Sequence, residues 1–337
     1  MDDGKAGRTF FESYVAGRTG ADREDVRLGP TYGADFGAVD VGDRVVALAT
    51  DPVFVLRELG LERAAWFAFH VCVSDVALSG LPPGHLAVDL NLPPSTSTET
   101  FDRIWAVFDR EARNLGTSLT TGHTGTYEGC AFPTVGGATA LAIGDPEDLV
   151  LPTGARPGDQ VVVTKGPAVE TTGLLGVLFG DGLPIAEADA AAARERFDDA
   201  SPVRDALTMT AAGEVTAMHD ATERGLANGF HELAAAGQVG LTIDRNAVPV
   251  LPGVAAVCEH FEMDPWTASS EGTVVATVAP DSVEDVLAAL NDEGIPAAAV
   301  GRVESGSGVT VDGEALPEPT ADPLWPAYQR AREEYGE

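Results

Sequence analysis

Lysine is almost missing from this 337-residue chain: only Lys5 and Lys165 occur, and arginine supplies the other 19 of its 21 basic residues. Against them stand 53 acidic residues spread along the whole length, for a net charge of -32. That balance repels nucleic acid and anionic membrane surfaces, and no basic run offsets it, so neither is expected as a partner. An acid excess spread so widely reads as a solvated, halophilic surface rather than one acidic tail. Cysteine is scarce as well. Cys72, Cys130 and Cys258 lie far apart and form no CxxC, which suggests neither a disulfide framework nor a zinc site. No stretch of about 18 uncharged apolar residues occurs, and the opening MDDGKAGRTF is charged, so a cytoplasmic protein is expected. GxxxxGK[ST], GxGxxG and the kinase signature set are absent too, which disfavours the common nucleotide-binding folds.

What is present is enough chain for two domains of ordinary size. A short amphipathic helix is expected around Phe10 to Ala16, then strands Phe36 to Val41 and Arg44 to Thr50, the second ended by Pro52 so that Asp51 stands at a strand terminus. A strand follows at Leu86 to Asn91. The next helix, with Thr96 and Glu99 in capping-box spacing, carries Phe101, Ile104, Trp105 and Phe108 at helical intervals and stops at Gly116. TGHTGTYEG reads as a Gly/Thr-rich turn before a β run from Phe132 to Ile143. After a Pro/Gly linker, residues 145–158, a buried-type strand from Asp159 to Thr164 leads into Lys165-Gly166 and a helix from about Val169. Two alanine-rich or polar helical stretches then lead to AMHDATERG, Ala217 to Gly225, which opens a helix from Leu226 to Ala236. From Leu241 to Val303 strand and helix alternate, which makes the class α/β or α+β.

The stretch AAWFAFHVCVSDVALSG, residues 64–80, reads as a buried helix interrupted by a carboxylate. Burying an unpaired charge costs several kcal/mol, about enough to demand a cation, donors or a metal for Asp75. An aspartate near a helix end, bonded locally or open to water, is the plainer alternative. Asp35, Asp51, Asp75 and Asp220 all stand among Gly, Thr or Ser, and hard oxygen ligands from separate elements are what Mg²⁺ bound to a triphosphate needs.

The order of motifs is more specific than any one of them. GxDxGAV at Asp35, TDP at Asp51, Ser74-Asp75 before ALSG, TGHTG, PGDQVVVTKG, MHDATERGL with His231-Glu232-Leu233, and SSEGT at Glu271 together resemble the aminoimidazole ribonucleotide (AIR) synthase, or PurM, superfamily. Within it the chain looks most like the AIR synthase-related, HypE-like proteins. The resemblance implies a PurM-like two-domain fold: an N-terminal ATP-binding domain over residues 33–145 that closes a β-barrel across a homodimer, and a C-terminal α/β domain over residues 158–306. Residues 1–32 would precede them as a helix and loop, and residues 307–337 would follow as an extension. It further implies ATP as substrate with Mg²⁺ in a cleft between the domains, and phosphoryl transfer to a small molecule. Asp35, Asp51, Asp75 and Asp220 become metal ligands by resemblance; Asp51, Lys5, Lys165, Gly166, Thr222 and Arg224 become ATP or phosphate residues; His123 and Asp220 become catalytic candidates. His123 stands where several members carry a carboxylate, and Arg224 where relatives have glycine, so a structural histidine and a surface arginine stay open as alternatives. The signatures of selenophosphate synthetase, HypE and thiamine-monophosphate kinase are each incomplete, which leaves a non-catalytic ATP-binding sensor or scaffold as the rival to an enzyme.

Overall fold

A computed structural model describes residues 7–336. After a helical turn, α1 (Arg8–Phe10), continued as a π-helical turn over Phe11–Val15, the chain contributes to two units. The expected short helix is therefore present, but irregular.

The smaller unit, residues 23–28 and 35–149, is one sheet with helices on one face. Its strands are β1 (Val26–Leu28), β2 (Gly37–Val41), β3 (Arg44–Phe54), β4 (Pro83–Leu92), β5 (Ser118–Thr126) and β6 (Thr134–Gly144), in the order β1-β2-β3-β6-β4-β5. Register decides which face is covered. Ala38, Ala47 and Ala142 stand across one another and are buried, and the long helix α2 (Leu61–Ala77) packs on β3 and β6 with α3 (Thr98–Leu115) beside it. Small residues there let the helix backbone come close. The next row, Val39, Val46 and Ile143, faces the opposite way and is half-exposed or exposed.

Three local expectations change here. Pro52 does not end its strand: β3 continues to Phe54, with Pro52 opposite Gly137 and the register shifting before Phe54. Its other neighbour, β2, pairs only as far as Leu48, and a strand paired on one side tolerates a residue without an N–H. The cap of α3 is Ser97, whose hydroxyl accepts from Thr100 N–H at 3.1 Å, not Thr96. TGHTGT is no turn but most of β5, which lies parallel to β4 at the edge of the sheet and is exposed along nearly its whole length.

The larger unit comprises residues 7–22, 29–34 and 150–336 of those described. Its sheet has the order β13-β12-β9-β11-β7-β10-β8, with β7 (Gln160–Thr164), β8 (Val215–Asp220), β9 (Gly240–Ile243), β10 (Val274–Val278), β11 (Ala297–Glu304), β12 (Gly308–Val311) and β13 (Glu314–Ala315). β7, β8 and β10 are buried on both faces, as their unbroken Val/Ala/Thr runs require. The helices are α4 (Val169–Phe179), α5 (Glu187–Glu195), α6 (Val203–Ala212), α7 (Gly225–Gly237), α8 (Val254–His260), α9 (Val283–Asp292) and α10 (Leu324–Tyr335). α7 lies across β8, β10, β9 and β12, where Leu226, Phe230 and Leu233 join Val161, Val163, Val275 and Leu241 in one core. The sheet does not stop at Val303: β12 pairs in parallel with β9, and β13 closes it. Among the described residues no helix is long and apolar enough to cross a membrane.

Candidate functional site

In the larger unit the chemistry gathers where β7 and β8 end and β10 begins. Val274 stands opposite Asp220 in the β10–β8 ladder, and its N–H donates to the Thr164 hydroxyl at 3.0 Å, so three strand ends meet at one level. Asp220 is buried, 3% exposed, and its Oδ1 accepts the Thr222 hydroxyl at 3.2 Å. His219, 1% exposed, holds Nδ1 2.9 Å from the Asp220 carbonyl oxygen and 3.4 Å from Oδ1. On the far side of that imidazole, Nε2 lies 3.7 Å from Glu232 Oε2, which accepts from Asn228 Nδ2 at 3.0 Å. His219, Asp220, Asn228 and Glu232 form a buried polar row under the first turns of α7.

Arg224 precedes α7 in the left-handed region, φ 63°. Its N–H, the position offered for an anion at the helix start, donates to Asp322 Oδ2 at 2.6 Å. Asp322 also accepts from Leu324 N–H at 2.8 Å and is pushed above the usual carboxylate range by burial. At the main chain, then, the chain's own carboxylate stands where the resemblance places phosphate.

Lys165 departs furthest from expectation. Its side chain is 7% exposed, and its ammonium donates to the carbonyl oxygens of Asp199 and Ser201 at 2.9 Å each and of Gly272 at 3.0 Å, with Asp205 Oδ1 at 3.1 Å. An ammonium has three N–H bonds, and all three are taken. In this structure the chain's own oxygens hold the Lys165 ammonium. Gly166 is closely packed: at φ 93° an added Cβ would lie 1.8 Å from the Pro249 carbonyl oxygen, and its own carbonyl accepts the hydroxyls of Ser270 and Thr273. Lys5 lies outside the described residues.

In the smaller unit Asp35 precedes β2, Asp51 stands in β3 opposite Ala138, and Asp75 occupies the last turn of α2; all three are half-buried. α2 is thus less enclosed at Asp75 than an all-apolar helix implies. Cys72, one turn earlier, touches the Pro52 carbonyl at 4.0 Å. His123 is exposed on β5, opposite Asp89 of β4, with Nε2 2.6 Å from the Tyr127 hydroxyl.

Residues 33–145 match the model of the N-terminal domain of AIR synthase related proteins, and residues 156–314 match that of the C-terminal domain. The chain belongs to the AIR synthase-related family. It is 30% identical over 254 residues to the carbamoyl dehydratase HypE of Rhizobium leguminosarum bv. viciae, covering 70% of this chain and 67% of that protein. It is 33% identical over 269 residues to the thiamine-monophosphate kinase of Halobacterium salinarum, covering 78% and 83%. Among solved structures, E. coli HypE superposes with a TM-score of 0.71 at 26% identity over 94% of this chain and 96% of that one. A HypE solved in complex with ATP shares the fold, with a TM-score of 0.68 at 22% identity over 94% and 93%.

This AIR synthase-related chain also holds polar residues that sequence reasoning passed over. Glu170, in the first turn of α4, is buried and accepts the Ser269 hydroxyl at 2.5 Å and Glu271 N–H at 3.1 Å. Burial, with smaller contributions from Asp322 and Glu223, pushes its carboxyl up to about 7, partly offset by those two hydrogen bonds. Its signal in the sequence was an acid inside the apolar run VETTGLLGVLF, the same signal that singled out Asp75. Because the folded state keeps a proton that the unfolded chain releases near the ordinary value, Glu170 favours folding at low pH. Its contribution falls as pH rises toward 7, by about 3 kcal/mol in all. Asp199, Asp205 and Asp322 are raised by burial in the same direction, so the difference between wild type and Glu170→Gln isolates this one group. Denaturant unfolding from pH 5 to 8.5 is expected to show a flatter loss of stability in Glu170→Gln; parallel curves would mean that Glu170 is ionised throughout.

Proposed function

We propose that this chain is an ATP- and Mg²⁺-dependent enzyme that activates a small molecule by phosphoryl transfer. Membership of the AIR synthase-related family supports an ATP-using enzyme, and the kinase and dehydratase names of its relatives agree with one. The observation that carries the reading is Asp220: a buried carboxylate at a strand end, beside a helix start, with a neutral hydroxyl on one oxygen. Oxygen donors of this kind fit a hard divalent cation, which would neutralise the charge that burial opposes. Asp220 is the Mg²⁺ residue proposed in the larger unit, and Asp35, Asp51 and Asp75 are those of the smaller. When bound, the metal supplies charge neutralisation to the phosphates; the protein's part is positioning. Thr222 orients the Asp220 carboxylate, and Glu232, held by Asn228, faces the His219 imidazole behind it. We also propose a homodimer and a surface adapted to high salt.

Calorimetric titration in molar KCl tests this. Wild type is expected to bind Mg²⁺-ATP and to gain about 2.7 kcal/mol of stability at one hundred times the dissociation constant. Asp220→Asn, which keeps shape and removes charge, is expected to bind at least about tenfold more weakly, a loss of about 1.4 kcal/mol. ATP consumption against ribonucleotide, thiamine-type and carbamoyl-type acceptors then identifies the branch. Tight binding without turnover on any of them would favour the sensor or scaffold, and no binding would overturn the proposal.

A further inference from the structure

We propose that Lys165 is a positioning residue for Asp220, its ammonium standing in for a bound monovalent cation. Four oxygens surround Nζ at 2.9, 2.9, 3.0 and 3.1 Å, three of them main-chain carbonyls and the fourth the Asp205 carboxylate. That is a cation cage, closed to solvent and supplied with its own charge. The carbonyls come from two separate segments, residues 199–201 and the SSEGT loop, residues 269–273. Those segments touch so closely that a Cβ on Gly272 would lie 2.1 Å from the Asp199 carbonyl oxygen. Two facing rows of carbonyls repel unless a cation lies between them.

The loop carries this restraint to Asp220. Ser270 N–H donates to the Ala221 carbonyl at 2.9 Å, the Ser270 hydroxyl accepts from Val169 N–H at 2.8 Å, and Val274 follows opposite Asp220. Removing the ammonium frees Gly272, then the loop, then the main chain on which the Asp220 carboxylate is carried. A lysine is fit for this because its charge is compact and its three donors rotate to the carbonyls, whereas the planar fork of the arginine used elsewhere in this chain would not fit the cage. In a chain with 19 arginines, the one lysine among the described residues stands with its ammonium among four oxygens.

The test is chemical rescue of Lys165→Ala, with ammonium chloride compared with tetramethylammonium chloride at equal concentration and at a pH that keeps ammonium protonated. In tetramethylammonium the variant is expected to lose on the order of 10 °C in Tm, since a buried carboxylate has lost its partner. Mg²⁺-ATP affinity is expected to fall about tenfold, or 1.4 kcal/mol. Ammonium, small enough for the cage, is expected to restore both; wild type is expected not to distinguish the salts. Equal behaviour of the variant in the two salts would overturn the proposal. A second measurement needs no variant: reductive methylation of the native protein with and without Mg²⁺-ATP. Lys165 is expected to stay unmodified in both, whereas modification without nucleotide and protection with it would make it a phosphate ligand after all. The affinity arm rests on the reading of Asp220 as a metal residue, but the Tm and methylation arms do not, so failure of one is distinguishable from failure of the other.

Discussion

Asp75→Asn is expected to weaken Mg²⁺-ATP binding by a hundredfold or more, about 2.7 kcal/mol, while leaving the metal-free protein as stable as wild type or slightly more so. The reason lies in where α2 places the residue. Asp75 is in the last turn of Leu61–Ala77, where the helix dipole is negative and a carboxylate is disfavoured by about 0.3–1 kcal/mol. A residue that stabilised the helix for its own sake would be cationic there. An acid at that end of the dipole is a place for a bound cation, and an amide keeps the shape while removing the charge that would hold it. Thermal unfolding and calorimetry of both proteins at fixed KCl decide the matter. A drop in Tm with unchanged nucleotide affinity would make Asp75 a structural hydrogen-bond acceptor instead.

A second large effect is expected from Ile143→Asp: conversion of a dimer into monomers. Val39, Val46 and Ile143 stand in register across β2, β3 and β6, with Leu48 and Leu141 beside them, on the sheet face away from α2. Ile143 is 45% exposed and Val41 57%. β5 adds an edge of nine exposed or half-exposed residues paired only with β4. An apolar sheet face bordered by a free edge is a surface for association with a second sheet, and a charge in its middle costs the monomer little but the dimer much. Sedimentation in molar KCl is expected to give twice 34.9 kDa for wild type and 34.9 kDa for the variant. A monomeric wild type would refute the dimer, and a variant that stays dimeric would move the interface elsewhere.

The fold was legible in the sequence wherever one periodicity ruled a whole element. DQVVVTKG had to be a strand buried on both faces, and the Phe101, Ile104, Phe108 spacing had to be a helix ended by a left-handed Gly116. β5 was not legible, because glycine and threonine at an exposed edge carry the composition of a turn. Short β12 owes its place to β9, far away in sequence, and not to any local pattern, and β13 folds back on β12 alone. Asp220 stood out as an acid in AMHDATERG, but the strand β8 that it ends was not legible, because the stretch reads as the approach to the helix after it. Lys165 stood out as well, but its type alone could not tell a phosphate from three carbonyls. That choice depends on Asp199, Ser201 and Gly272, which only the folded chain brings together.

The position of β7 has a consequence during synthesis. Val163 pairs with Val275 on one side and with Ala298 on the other. The apolar segment VVVT therefore leaves the ribosome more than a hundred residues before either neighbour exists, with both strand edges open. Such a segment has high β propensity, no charge and no proline, the composition that pairs with the same segment of another nascent chain. Asp159 on its N-terminal side and Lys165 on its C-terminal side are the charges that bracket it in the meantime. The lysine would then guard the nascent strand from self-association before its own cage has formed.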